Sequence, residues 1–165
     1  MIGITVFTPL YNRASLLRDL YESLLKQNYH SFEWVIVDDG STDNAEQSVN
    51  TFIGDSIHTF PISYIWKEND GKHTAINRGV EEAKGELFLI LDSDDTLPAD
   101  SLATIAHYYE QCKGYKDCAG VCGLMAHHDG QLIGTGFPKE PMYESALQFR
   151  YAEKGNVTGD LLEVY

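Results

Sequence analysis

Positive charge is scarce in this chain. Its 165 residues hold 12 Lys and Arg against 25 Asp and Glu, for a net charge of -13 with His neutral. No Lys/Arg cluster exists to track a phosphate backbone, so a nucleic-acid partner is excluded. A small phosphorylated ligand held through a metal is compatible with that balance. Long apolar runs are lacking too, and none approaches the roughly 18 residues that span a bilayer. Gly3-Ile4-Thr5-Val6-Phe7 is too short to be the apolar stretch of a secretory signal. Cysteine is limited to Cys112, Cys118 and Cys122. An odd count without a secretory signal predicts free thiols in a reducing compartment. Their spacing is not C-x-x-C, so His127 and His128 nearby do not make a zinc site of them.

What is present suits one globular domain. The chain is 43% hydrophobic and 22% charged, and long enough for a real core. Its most telling stretch is Leu87-Phe88-Leu89-Ile90-Leu91, which runs straight into Asp92-Ser93-Asp94-Asp95. The apolar run predicts a strand buried on both faces. Carboxylates crowded at its end repel one another unless a cation or hydrogen-bond donors compensate. Two readings follow: a divalent-metal site at the carboxyl edge of a sheet, or a solvated acidic loop that caps the next helix.

The rest of the chain alternates strand and helix. Ile2 to Thr8 predicts a strand ended by Pro9, followed by a polar turn at Tyr11-Asn12-Arg13. Leu16, Leu17, Leu20, Tyr21, Leu24 and Leu25 then mark one face of a helix. Phe32 to Val37 reads as a second strand running into Asp38-Asp39-Gly40-Ser41-Thr42-Asp43. Asp43 with Glu46 suits the start of a helix carrying Ala45, Val49, Phe52 and Ile53. Ile62 to Trp66 is a third strand. Ala75, Ile76, Gly79, Val80 and Ala83 follow as a third helix, stopped at Gly85. Pro98 suits the first turn of a helix with Leu102, Ile105, Ala106 and Tyr109. Beyond Gly120, His128-Asp129-Gly130 signals a hairpin between Val121–Ala126 and Leu132–Thr135. Tyr143 to Glu153 suits a helix, and Asp160 to Tyr165 a strand.

Four such repeats with short connections predict an α/β fold with a mostly parallel, doubly wound sheet. In that architecture ligands bind outside the carboxyl ends of the strands. The segments Thr8–Asn12, Asp38–Asp43, Asn69–His73 and Asp92–Asp95 would therefore line one crevice, which favours the metal reading over the solvated loop.

Thr8-Pro9-Leu10-Tyr11-Asn12, Val37-Asp38-Asp39-Gly40-Ser41-Thr42-Asp43, Gly71…Ala75-Ile76-Asn77-Arg78-Gly79 and Leu91-Asp92-Ser93-Asp94-Asp95 stand in an order that resembles the family 2 glycosyltransferases. Any one of these motifs alone would be weak; together they are specific. The resemblance implies a GT-A fold, a Rossmann-like and mostly parallel sheet with helices on both faces. It implies inverting transfer of a sugar from a nucleotide-diphosphate donor, by default a UDP-sugar, to a hydroxyl of a saccharide or lipid-linked acceptor in polysaccharide or glycolipid synthesis. By the same resemblance Mg²⁺ or Mn²⁺ would bridge the diphosphate. Asp94 would be its main protein ligand, and Asp92 and Asp95 would complete the shell or orient the ribose. Tyr11 would stack on the base, and Thr8 and Pro9 would line its pocket. Asp38 or Asp39 would accept from a base N–H, Lys72 would contact the pyrophosphate, and Ser93 would join the donor site. The implied setting is the cytoplasm, with peripheral association at the cytoplasmic face of a membrane.

The chain departs from the family pattern in three places. Ile76 precedes Asn77 where many members carry Arg. Gln148-Phe149-Arg150-Tyr151 is not the Gln-x-x-Arg-Trp motif of processive members. No catalytic base can be assigned, since Asp160 and Glu163 fall before or within the last strand. The expectation is a single GT-A domain over residues 1–165, truncated on its acceptor side, with the base beyond Tyr165. Two alternatives remain. One is a nucleotide-sugar-binding domain without catalysis. The other is a haloacid-dehalogenase-type phosphatase using Asp92 as nucleophile and Asp94 as acid/base, although three strand–helix units precede the motif. A nucleotidyltransferase is disfavoured because the first loop has no glycine.

Overall fold

A computed structural model describes residues 3–127, 129–137 and 161–165. Among these residues six strands take the order β3-β2-β1-β4-β6-β5: β1 is Ile4–Leu10, β2 Phe32–Asp38, β3 Ile62–Trp66, β4 Leu87–Ile90, β5 Val121–Leu124 and β6 Leu161–Val164. The first four pair in parallel, and Val164 returns antiparallel beside Leu89. The helices are α1 (Leu17–Leu25), α2 (Ala45–Gly54), α3 (Lys72–Glu82) and α4 (Ser101–Cys112). This is the mostly parallel α/β sheet that the strand–helix alternation predicts. Among the described residues, no helix is long and apolar enough to cross a membrane.

The chain divides into two compact units, one of residues 3–121 with 164–165, the other of the described residues between them. In the first, β1 and β2 are buried along nearly their whole length. On one side of the sheet Phe7, Val35, Val37 and Ala75 form a core cluster, with Phe7 stacked on Phe88 at 5.2 Å. Gly79 lets α3 settle on that cluster, because a Cβ there would lie 2.2 Å from the Phe7 ring. Elsewhere in the core Tyr21 from α1 stacks on Phe52 from α2 at 4.4 Å, and both rings stack with Trp34. Each fully buried Leu or Phe contributes about 1.5–3 kcal/mol, so these apolar contacts dominate the fold's stability.

A buried polar hub fixes the segment that follows the acidic stretch. Gln27 Nε2 donates to the carbonyls of Ser23 and Pro98, and its Oε1 accepts from the Leu102 amide. Ser23 Oγ accepts from the Leu97 amide. The end of α1 thus holds both the turn after Asp95 and the start of α4.

Several expectations need correction. Pro9 does not end the first strand but lies inside β1, opposite Val37. The Phe7 carbonyl faces β4, where it accepts from Leu91, and the Leu10 carbonyl faces β2, where it accepts from Asp39. By that alternation Pro9 faces β4 beyond its last paired residue, Ile90, so no ladder bond is lost to its missing N–H. Strand β4 is buried at Leu87 and Leu89 but only partly at Phe88 and Ile90. Val80 is 56% exposed on α3, and Pro98 precedes the α4 N-cap at Asp100. Cys112 and Cys118 are joined, with Cα atoms 6.0 Å apart, where free thiols were expected. An odd count carries no information on local approach, and the turn after α4 brings these two together. Cys122 lies outside that pair.

In the second unit the chain turns back around Gly130, whose φ is +85, as expected, but Leu132–Thr135 makes a single bridge rather than a strand. Ala126 bridges Leu132 antiparallel, and the Ile133 amide donates to Met125. The expected helix over Tyr143–Glu153 falls outside the described residues.

Candidate active site

The parallel strands of the first unit end at a common edge, and a cleft of 430 Å³ opens there. Pro9 and Leu10 line it from the end of β1, Tyr11 and Arg13 from the loop that follows, Asp39 from after β2, and Asn69 from after β3. Gly71, Lys72 and Ala75 contribute from the start of α3, and Asp92 and Ser93 from the end of β4. The four strand-end segments expected to share a crevice do share one.

The loops after β1 and β2 are bound to each other. Asn12 takes a left-handed backbone, φ +52, and its amide donates to Ser41 Oγ at 2.8 Å. Its Oδ1 accepts from the Thr42 amide, also at 2.8 Å, and the Ala14 amide donates to Asp43 Oδ2. Asn is among the few residues that tolerate this conformation. The lattice fixes the path of the chain between Tyr11 and Arg13, the two outermost lining residues of that loop.

Asp38 and Asp39 have separate tasks. Asp38 is 1% exposed and lies outside the cleft. Its Oδ1 accepts from the Ser41 amide and its Oδ2 from the Tyr64 hydroxyl. Burial raises the Tyr64 pKa above the usual phenol range, and the adjoining Asp38 carboxylate raises it further. Asp39 lines the cleft while organising the loop after β3. Its Oδ1 accepts from Lys67 Nζ and the Asp70 amide, and its Oδ2 from the Gly71 amide. Burial pushes its carboxyl up, but the Lys67 hydrogen bond, the two amides and the Lys67 charge together hold it below its ordinary value. Gly40 has φ +80, and a Cβ there would meet the Asn69 amide at 2.7 Å. That turn therefore requires glycine.

The acidic stretch is tied to two cations. Lys72 Nζ contacts both Asp92 oxygens, at 2.7 and 2.8 Å. Arg13 reaches Asp94 at 3.0 Å. These four side chains are 41–55% exposed. The Asp95 amide donates to the Asp92 carbonyl at 3.0 Å, which closes the turn. Among the described residues, no three His, Cys, Asp or Glu side chains are gathered to hold a metal ion. Mg²⁺ at phosphate sites commonly uses one or two carboxylates and takes its remaining ligands from phosphate and water. Asp92 and Asp94 fit that open kind of site: hard oxygen donors, half exposed, at the end of β4.

Pro9, Tyr11, Asp39, Lys72, Asp92 and Ser93 thus line the cleft, and Thr8, Asp38, Asp94 and Asp95 do not. Thr8 is fully buried, and its hydroxyl accepts from Trp34 Nε1 at 3.0 Å. Sequence reasoning missed Arg13 and Lys67. The signal for Lys67 was a lone cation just after a strand; Arg13 gave none beyond its place in a polar turn.

The model of glycosyl transferase family 2 matches residues 5–155. The chain belongs to that family. It is 35% identical over 127 residues to the glycosyltransferase GlyG of Streptococcus pneumoniae serotype 4, covering 76% of this chain and 40% of GlyG. It is 36% identical over 101 residues to TuaG of Bacillus subtilis strain 168, named as a candidate teichuronic acid biosynthesis glycosyltransferase, covering 60% of this chain and 38% of TuaG. Residues 1–349 of S. aureus TarS in complex with UDP superpose with a TM-score of 0.60 at 29% identity, over 66% of this chain and 32% of that one. The mannosyltransferase PcManGT of Pyrobaculum calidifontis, in complex with GDP-Man and Mn²⁺, gives 0.64 at 26% identity, over 75% and 35%. The chain thus spans two-fifths or less of each of these proteins. Membership in this glycosyltransferase family sets the phosphatase alternative aside.

Proposed function

We propose that the chain forms the donor-binding part of a glycosyltransferase that moves a sugar from a nucleotide diphosphate to an acceptor hydroxyl with inversion, in polysaccharide or glycolipid synthesis. The observation that carries this reading is the cleft itself. An exposed aromatic, two cations, a helix N-terminus and two carboxylates from four strand-end segments face one volume of 430 Å³. The complexes of TarS with UDP and of PcManGT with GDP-Man and Mn²⁺ support it by similarity.

Tyr11, 51% exposed at the mouth, offers a face on which a nucleobase stacks. Between the adjacent carboxylates, Asp39 is the acceptor for a base N–H. It lines the cleft, and its Oδ2 holds one partner and keeps a free lone pair, whereas Asp38 is sealed in. The N-terminal end of α3 at Lys72 brings its dipole and an ammonium, both suited to a diphosphate, to the cleft. Asp94 and Asp92 would hold Mg²⁺ or Mn²⁺, which when bound would offset the charge developing on the departing diphosphate. Among the described residues, the acidic groups lining the cleft are Asp39 and Asp92, both already engaged by cations, so neither is assigned as the base that deprotonates the acceptor.

Titration calorimetry with UDP, with and without Mn²⁺, followed by assay of UDP-sugar turnover, tests this reading. UDP binding strengthened by Mn²⁺ is the expected result. Phosphate-ester hydrolysis without nucleotide affinity would overturn it. Nucleotide binding without turnover would select the non-catalytic donor-binding alternative.

A further inference from the structure

The acidic stretch carries its own counter-ions. Arg13 comes from the loop after β1 and Lys72 from the first turn of α3, and each reaches a different carboxylate at the end of β4. Both cations line the cleft, and Asp92 lines it with them. The group of Arg13, Lys72, Asp92 and Asp94 is formally neutral, in a chain whose net charge is -13. Ion pairs this exposed are weak and open readily.

Taking the cleft as a nucleoside-diphosphate site, as proposed above, we infer that Arg13 is an exchangeable counter-ion that couples cation binding to diphosphate binding. Without ligand it neutralises Asp94. When a divalent cation takes Asp94, the guanidinium loses its partner within the same cleft that receives the diphosphate. It then turns to the phosphate oxygens, for which its planar fork is well shaped. Lys72 makes the corresponding move from Asp92. Each charge keeps a partner before and after, so neither a bare carboxylate cluster nor a bare pair of cations is exposed at any stage. The consequence is thermodynamic: each ligand removes a competitor of the other, and the two strengthen each other's binding.

A merely structural or merely attractive role for Arg13 makes a different prediction from exchange. Under exchange, Arg13 competes with the cation when nucleotide is absent and assists the nucleotide when the cation is present. The test uses the 165-residue chain, Mn²⁺ followed by electron paramagnetic resonance, and UDP by calorimetry. In Arg13→Ala, Mn²⁺ without UDP should bind more tightly, by up to about fivefold, the range a half-exposed ion pair supports. UDP in the presence of Mn²⁺ should bind more weakly, and the factor by which Mn²⁺ strengthens UDP binding should shrink. Arg13→Lys, which keeps the charge but not the fork, should lie between Arg13→Ala and wild type. If wild type binds UDP but Arg13→Ala binds Mn²⁺ no more tightly, the exchange is wrong and the nucleotide site stands. If wild type binds no UDP under any condition, the nucleotide reading itself fails, and this inference fails with it.

Discussion

Asn12 Oδ1 accepts the backbone amide of Thr42 at 2.8 Å, across 30 positions of sequence. That bond, with Ser41 Oγ accepting the Asn12 amide, makes the loops after β1 and β2 one body. Asn12→Ala removes the acceptor and places an alanine at φ +52. The left-handed backbone costs such a residue about 1–2 kcal/mol and the lost bond about 1 kcal/mol more. UDP affinity should fall about tenfold while most of the fold survives. Asn12→Gly keeps the backbone and loses only the bond, so calorimetry should place it between the two. Equal losses in both variants would show that the backbone conformation carries none of the effect.

Asp39 links the cleft to stability. Asp39→Asn leaves the partly buried Lys67 ammonium without its carboxylate, at a cost of about 2 kcal/mol by the scale of charge-assisted hydrogen bonds. Because the folded carboxyl titrates below its ordinary value of 3.8, it adds stability above that pH and loses it as pH falls through the folded value. Urea unfolding should therefore show a gap between wild type and Asp39→Asn that is full at pH 6 and narrows below about pH 3.8. A gap constant with pH would exclude the ion pair as its source.

Gly79 tests the packing of α3. Alanine in a helix interior normally gains about 1 kcal/mol over glycine. Here its Cβ would meet the Phe7 ring at 2.2 Å, and overpacking costs typically about 1–3 kcal/mol. Gly79→Ala should be net destabilising in urea unfolding. Stabilisation would mean that α3 shifts away without penalty.

The sheet was legible because each apolar run has strand length and each helix repeats its apolar face. The crevice was legible because α/β connectivity puts every strand-end loop on one edge. Which way each side chain turns at that edge was not. Thr8 and Asp38 belong to the motifs yet point into the interior, toward Trp34 and Tyr64, because a residue's face depends on register beyond the motif. Arg13 was hidden for the opposite reason. A loop cation has no periodicity, and its partner Asp94 lies on a different strand end, so only the closed sheet brings them together. The Cys112–Cys118 pair was missed because proximity after a helix end is set by the turn, not by the count of cysteines.

The sharpest test of the acidic stretch is Asp94→Ala. The side chain is 52% exposed and pairs with the equally exposed Arg13, so truncation should leave the thermal midpoint nearly unchanged. In the proposed site Asp94 is the principal protein ligand of the cation, and its loss should abolish the Mn²⁺-dependent part of UDP affinity. A loss of tenfold corresponds to about 1.4 kcal/mol. The metal-independent part should behave differently. Arg13, released from Asp94, becomes free for phosphate, so UDP binding without Mn²⁺ should hold or rise slightly. Calorimetry with and without Mn²⁺ reads both parts on one sample. An affinity unchanged in the presence of Mn²⁺ would remove Asp94 from the metal role. A parallel fall with and without Mn²⁺ would mean that the carboxylate serves the shape of the loop rather than the cation.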